Sequence, residues 1–547
     1  MSVNVRTLPA GQAQAAKGPS GLVAHAKARP DTRAALAALA LLAIVVCSLL
    51  IVLMAADRPS FLSATTHSYF FPGWMAGPLG GLWPGLTRSN TALQYLFSGA
   101  VVVMFVGYLL GLKYVSRLRP WAVISAIVAV HLIFLLAPPL ALTDIFNYVN
   151  YGRMEVVHHL NPYTTVPILE PHDDPSFALS NWHHLLSPYG PLFTLLSFAI
   201  VPLGVAASFW AFKAILMLAS LASLLLVWKC AKLLGRDPAQ AVLFVGLNPI
   251  VLVWGLGGDH NDFIMVLCLM LGFYLLLRTG VIKRARGSQP EQGDPIVTSA
   301  DLAGAGETGV GRARIASGSE VASSRVLSPS WFGEMILPLL ALELAAGAAL
   351  ITAVALKASA GILLVVVMAS LRHRPRHLVQ LLIGMIAAGV IISIASLVAF
   401  GPHLPDLSTQ GSLVTSVSVP NLLGLALGQG GETDTLRHIL SVVLVFCVIA
   451  SAAAAWRREE PLAASGWATI ALLVTLSWVL PWYILWVLPL AVLSDSRRLR
   501  TVTLVLSAYL IFAWTPLAAK VFSAVHFSPS KTSLGEQHQR IVKELLN

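Results

Sequence analysis

Charged side chains are scarce in this sequence. Asp, Glu, Lys and Arg account for 11% of its 547 residues, less than half the roughly 25% of an ordinary soluble domain. A water-soluble fold of this length could not cover its surface with so few. Cysteine is almost missing as well: Cys47, Cys230, Cys268 and Cys447 fall in or at the edge of apolar runs and form no CxxC pair. Neither a disulfide framework nor a zinc site is indicated. No GxxxxGK[ST] loop occurs, so the usual backbone cradle for a nucleotide is missing. Acidic residues are the minority charge, 25 against 36 basic, for a net +11. The basic residues stand in short clusters between apolar runs, so the excess reads as cytoplasmic anchoring and not as a nucleic-acid surface.

Apolar residues, by contrast, make up 56% of the chain, in runs close to the roughly 20 residues that span a bilayer. The run 34–56 is too long for a signal-peptide core and lacks a cleavage site, so it is expected to stay as a span. Further spans are expected at 92–112, 121–142, within 189–228, and at 241–256, 263–277, 336–356, 360–371, 379–400, 439–455, 464–480, 484–493 and 501–519. The stretch 189–228 would be about 60 Å of helix, which predicts one full crossing plus helices that enter without traversing. The expected fold is an all-α integral membrane protein, a polytopic helical bundle of about 13 transmembrane helices.

Lys113, Arg117 and Arg119, then Lys229, Lys232 and Arg236, then Arg278, Lys283, Arg284 and Arg286, then Arg372, Arg374 and Arg376, then Arg457 and Arg458, and finally Arg497, Arg498 and Arg500 mark cytoplasmic ends. The gaps without such clusters then face outward: 57–90, 143–188, 257–262, the turn at Lys357, 401–438 and 481–483. Residues 1–33 read as a disordered basic cytoplasmic arm and 34–120 as a two-helix extension. The main transmembrane module is expected at 121–519, with a Gly-, Ser- and Arg-rich linker at 279–330 inside it and a tail at 520–547. Internal repeats of the transporter kind are not evident.

The outward segments hold the candidate chemistry. Asp144 stands where the third span ends, followed by aromatic and apolar residues including Tyr148, with Arg153 further on, until Asn161-Pro162-Tyr163. That pattern predicts an interfacial helix with a carboxylate at the lip of the bilayer, placed to act as a base or simply as the helix N-cap. His172, Asp173 and Asp174 suit a solvated turn better than a metal site, although a divalent cation stays open as a cofactor. The run Gly257-Gly258-Asp259-His260-Asn261-Asp262 puts four polar side chains at a helix turn, which is expensive in a membrane unless they line a cavity. Lys357 interrupts an apolar stretch, and a buried ammonium wants an anion such as a lipid phosphate, unless it snorkels. Trp482 and Tyr483 sit in an aromatic break that could stack on a sugar or form an interfacial belt.

These motifs, with Pro188-Tyr189-Gly190-Pro191-Leu192, Lys357-Ala358-Ser359 and Pro481-Trp482-Tyr483 with Trp486, fall in one order from about 142 to 493. In that ordered set the chain resembles the bacterial polyprenol-phosphomannose-dependent alpha-1,6-mannosyltransferases of the polytopic GT-C glycosyltransferase superfamily. The resemblance implies a multi-pass protein of the bacterial plasma membrane with its active site on the extracytoplasmic side. It implies a polyprenyl-phosphate sugar donor, a glycan or glycolipid acceptor, and an inverting transfer with Asp144 as catalytic base. Lys357 and Arg153 are then expected at the donor phosphate. Tyr148, Asn161, Tyr163, Tyr189, Asp259, His260, Asn261, Asp262, Trp482 and Tyr483 are expected to contact substrate. Many relatives carry other residues where this chain has Asp259 and Asp262. Two other readings share the helix count: a flippase for lipid-linked sugars, and a ligase or polymerase using lipid-linked oligosaccharides.

Overall fold

A computed structural model describes residues 31–63, 72–85, 89–140, 144–281 and 329–546, with side chains in the last segment from residue 341 onward. The expected basic arm, save its last three residues, and the linker from 282 to 328 lie outside the described residues. Every regular element among the described residues is a helix. Five are long and apolar enough to cross a bilayer: Thr32–Asp57, Asn90–Arg117, Val205–Leu233, Pro375–Phe400 and Asp434–Arg458. A sixth crossing arises if Arg497–Trp514 and Pro516–Ala524, bent by 78°, act as one.

The expected count of thirteen spans is therefore not reproduced. Several apolar runs become shorter helices of 10–17 residues, among them Pro120–Leu135, Pro191–Leu203, Pro461–Thr475 and Pro481–Leu493. A helix of 16 residues is about 24 Å long, short of the roughly 30 Å hydrocarbon core. Proline supplies the breaks, since it fits the first helical turn and terminates what precedes it. The long run at 189–228 divides in this way: Pro191–Ile200, a turn of 3-10 helix at Val201–Leu203, then Gly204 at φ 86° and the continuous helix Val205–Leu233.

Helix starts follow side-chain capping. Asp31 accepts a hydrogen bond from the Arg33 N–H, Asp237 from those of Ala239 and Gln240, Thr433 from that of Leu436 and Ser496 from that of Leu499. Arg457 and Arg458 occupy the last turn of Asp434–Arg458, where cations complement the helix dipole.

The helix Pro329–Leu356 is held between Asp262–Arg278 and Pro375–Phe400 through small residues. A methyl group on Gly384 would lie 2.0 Å from the Leu344 carbonyl oxygen, and one on Gly347 would lie 2.1 Å from that of Leu381. Backbones in contact at this distance gain dispersion energy that lipid cannot supply, the usual basis of helix association in membranes. This crossing fixes the end of the helix that carries Lys357.

The helix Asp144–His158 is enclosed by protein over its first half. Every residue from Ile145 to Gly152 is buried. Phe146 stacks on Phe209, and Tyr148 meets Phe193 and Phe212 from the helices Pro191–Ile200 and Val205–Leu233. Its polar face is covered by the loop 159–190, where Asn150 donates to Glu170 and the backbone N–H of Asn181 donates to Asn147. The amphipathic pattern is real, but its polar stripe meets protein where the sequence suggested water.

Gly384→Ala should force the two helices apart and lower the melting temperature in detergent, with overpacking of this kind costing about 1–3 kcal/mol. Gly389→Ala, whose new methyl would have its nearest neighbour 3.8 Å away, should melt like the parent. Equal melting of the two variants would show that the crossing is looser than described.

Candidate active site

The site is built on the turn between Pro238–Gly246 and Asp262–Arg278. Its approach, Val251–Leu256, is a turn of π-helix, a form concentrated at functional positions. Gly257 and Gly258 then fold tightly, since a methyl group on them would sit 2.3 Å from the Val253 carbonyl oxygen and 2.4 Å from that of Trp254. Asp259 follows with φ 55°, a left-handed conformation that aspartate tolerates better than most residues.

The side chains after the glycines diverge to three different helices. Asp259 is fully paired with Lys213 of Val205–Leu233, whose Nζ lies 3.0 and 2.9 Å from the two carboxylate oxygens. His260 places Nδ1 3.2 Å from a carboxylate oxygen of Asp144, at the first residue of the 144–158 helix. Its ring stacks on Trp482 with centroids 3.5 Å apart and planes within 8°. Asp262 accepts from Lys357 at 2.8 and 2.9 Å, and from the Trp486 indole N–H. The backbone N–H of Asn261 donates to the Tyr148 hydroxyl at 3.2 Å.

Lys357 caps Pro329–Leu356 in extended conformation and lies over the rings of Tyr483 at 4.7 Å and Trp486 at 5.1 Å. Gly190 permits this position. A methyl group there would come within 2.1 Å of the Ala355 carbonyl oxygen, so only glycine lets the Pro188–Pro191 loop close on the helix end. A cavity of about 120 Å³ is lined by Asp144, Asn261, Asp262, Lys357, Trp482 and Tyr483, among others. It shares Lys357, Tyr483, Trp478, Gln410 and Pro188 with a cavity of about 450 Å³ whose remaining walls are chiefly Leu, Pro and Val side chains and glycine.

The expected site residues thus separate into groups. Asp144, Tyr189, Asn261, Asp262, Lys357, Trp482 and Tyr483 border the smaller cavity. His260 stands behind Asp144 and Trp482, and Tyr148 behind Asn261 and Tyr189. Asp259 is consumed by Lys213. Arg153 does not join Lys357: about two and a half helical turns beyond Asp144, it makes a bidentate pair with buried Asp174. Asn161 and Tyr163 brace the loop. The Asn161 amide donates to the Phe400 carbonyl and the Tyr163 hydroxyl to that of Tyr189, 2.8 Å in each case. Sequence reasoning passed over Lys213, although a lone cation inside an apolar run is itself a signal. It also gave no role to Tyr151 or Gln410, which line the cavity but look ordinary in sequence; Trp182 and Trp478, in the polar loop and the aromatic break, line it too.

No cluster of three or more His, Cys, Asp or Glu suited to a metal is present among the described residues. Asp174 instead gathers Arg153, His158 and Ser176. Its burial favours the neutral acid, but these hydrogen bonds more than offset that and hold the carboxyl well below its ordinary range. Glu170, buried nearby, is pushed up to about 8, because burial outweighs the hydrogen bond it accepts from Asn150.

That shift has a sign. In the unfolded chain Glu170 loses its proton near 4.5, and in the folded loop near 8, so between these values the folded state holds one proton more. Its neutral form therefore contributes fully below 4.5, and stability falls as pH rises toward 8. Glu170→Gln should flatten this decline in melting curves recorded across that range. A slope unchanged from the parent would assign the dependence to another group.

A family described as "Alpha-(1->6)-mannopyranosyltransferase, N-terminal domain" matches residues 45–374, and one described as "MptB C-terminal domain" matches 409–530. Alpha-(1->6)-mannopyranosyltransferase A of Mycobacterium tuberculosis is 25% identical over 423 residues, 72% of this chain and 69% of that protein. The protein of the same name from Corynebacterium glutamicum is 26% identical over 149 residues, 26% of this chain and 29% of its own. No solved structure matches. With more than half its length matched by the first of these domains, the chain belongs to the alpha-(1->6)-mannopyranosyltransferase family.

Proposed function

We propose that this membrane glycosyltransferase moves a mannosyl residue from a polyprenyl-phosphate donor to a hydroxyl of an envelope glycan or glycolipid, on the outer face of the plasma membrane. The observation that carries the reading is the junction at Lys357. One ammonium borders both the 120 Å³ cavity that contains Asp144 and the larger, mostly apolar cavity. A lipid-phosphate sugar has the same division: hydrocarbon, anion, then sugar.

In this reading the polyprenyl chain lies in the apolar cavity and the phosphate meets Lys357. Two of the lysine's three N–H donors go to Asp262, leaving one for a phosphate oxygen. The sugar enters the smaller cavity. The acceptor hydroxyl attacks the anomeric carbon while Asp144 takes its proton, and the bond from that carbon to the phosphate oxygen breaks with its electron pair leaving on phosphate. Configuration inverts, so an α-linked product requires a β-linked donor. Asp144 is 20% exposed, and His260 lies against it. The imidazole, wedged on Trp482, fixes the carboxylate's direction. The arrangement of basic clusters around the spans supports an outward-facing site.

Asp144→Asn should abolish transfer while membrane insertion persists, since a general base contributes roughly 10²–10⁴ in rate, about 3–5 kcal/mol. Radiolabelled donor with a mannoside acceptor provides the assay, and substantial residual transfer would remove Asp144 from this role. Lys357→Ala should raise the KM for donor far more than that for acceptor. Because it leaves buried Asp262 without its counter-charge, a cost of about 3–5 kcal/mol, the double variant with Asp262→Asn should recover stability but not donor affinity. Normal donor kinetics in that double variant would defeat the assignment.

A further inference from the structure

Pro188, Lys357, Gln410, Trp478 and Tyr483 border both the 120 Å³ cavity and the larger apolar one, and so mark the neck where the two spaces meet. Most of their polar capacity is already committed. Lys357 can only donate, and two of its N–H groups go to Asp262. Tyr483 turns its ring face to that ammonium, and Trp478 meets Trp182 edge to face. Gln410 differs from all of these. Its half-buried amide combines an acceptor with a donor, and it has no hydrogen-bond partner among the described residues.

The main chain on either side of this amide is fixed. Gln410 belongs to the short helix Ser408–Ser412, organised by Asp406, whose carboxylate accepts from the Ser408 N–H at 2.8 Å and from the Thr409 hydroxyl at 3.4 Å. The Leu413 N–H closes the turn on the Gln410 carbonyl at 3.1 Å. Two residues on, the Thr415 N–H donates to the Ser477 carbonyl at 3.0 Å, beside Trp478. A side chain held in this way, with its amide unspent where two cavities join, suits one of the few precisely placed polar groups by which a pocket fixes its ligand.

The chemistry of a sugar phosphate decides which atom arrives there. With phosphate at Lys357 and the sugar in the smaller cavity, the anomeric carbon lies just inside the neck. Carbon 2 is bonded to it, so the 2-hydroxyl is the sugar hydroxyl nearest the phosphate, and the ring oxygen on the other side has no proton to give. A hydroxyl needs an acceptor for its proton and a donor for its lone pairs, and a primary amide supplies both kinds of group. Mannose and glucose differ only in the direction of this hydroxyl. Hydrogen bonds to it also strengthen as positive charge grows at the anomeric carbon.

We propose that Gln410 reads the 2-hydroxyl of the donor sugar, its amide oxygen accepting a hydrogen bond from that hydroxyl while its NH2 donates to a neighbouring phosphate oxygen. The assignment rests on the donor reading above and deepens it. Mannose is selected over its 2-epimer at the neck, beside the bond that breaks.

The test gives the full-length protein in detergent one mannoside acceptor and three polyprenyl-phosphate donors, carrying mannose, glucose or 2-deoxyglucose, which is what either hexose becomes without its 2-hydroxyl. Gln410→Met keeps the length of the side chain and removes the amide. Because that amide bonds nothing else in the protein, the variant should melt with the parent. Its ratio of kcat/KM for mannose to that for 2-deoxyglucose should fall about five- to tenfold, as for one lost neutral hydrogen bond. The preference for mannose over glucose should fall with it. Comparing ratios between variant and parent cancels the greater intrinsic reactivity of the deoxy sugar. Gln410→Asn, whose amide is drawn back by one methylene, should show the same loss. Equal losses for all three donors would make Gln410 a phosphate contact alone and overturn the assignment, as would mannosyl transfer with an unchanged ratio, and in both cases the donor reading stands. If wild type transfers no sugar from any of the three, the donor reading falls and the assignment with it.

Discussion

The interior of this protein depends on how three charged or polar side chains of one turn are paired. Asp259, His260 and Asp262 are each buried almost completely, and each meets a group from a different helix: Lys213, Asp144 and Lys357. An ion in a low-dielectric interior is tolerated only with a close counter-charge, and removing one partner leaves a penalty that the rest of the fold must absorb. The turn therefore works as a hub that pins three elements at fixed separations. A carboxylate and an ammonium end up on the walls of one small cavity because the residues behind them share a backbone turn. The left-handed Asp259 and the two tight glycines are the backbone cost of that arrangement.

Around the hub, shape separates water-like from oil-like space. Gly190 brings the loop onto the end of Pro329–Leu356, so Lys357 emerges between the polar cavity and the apolar one. Two aromatic rings flank the ammonium and attract it through their negative faces. The glycine crossing further down the same helix holds its axis, so precision at the cation is inherited from packing within the membrane.

Residue type alone was a poor guide to placement in the loop 159–190. Arg153, Asp174, Asn161 and Tyr163 have the chemistry of an active site, yet their hydrogen bonds are spent on the loop itself and on its attachment to Phe400 and Tyr189. The loop covers the 144–158 helix on its polar face, and buried polar groups had to be satisfied by something. Asp144 and Lys357 were legible because a charge at the edge of a hydrophobic run is costly wherever it sits. Lys213 carried the same signal in the middle of a run and was overshadowed by the length of that run. Trp478 was legible as part of the aromatic break that runs to Trp486, whereas Gln410 carried no local signal, since nothing in its immediate sequence tells which cavity it faces.

Composition and hydrophobic runs, with their breaks at proline, determined that the chain is helical and membrane-embedded, and where charge had to be exceptional. These are local properties, fixed by the free energy of putting each segment into hydrocarbon. The pairing of Asp259 with Lys213, the burial of the 144–158 helix, the diversion of Arg153 to Asp174 and the docking of the C-terminal helix against His184 were decided by the tertiary structure. Each depends on which distant residue arrives opposite, 46 residues apart for the buried ion pair and 224 for Trp486 with Asp262. A sequence states which groups need partners, and only packing in three dimensions chooses them.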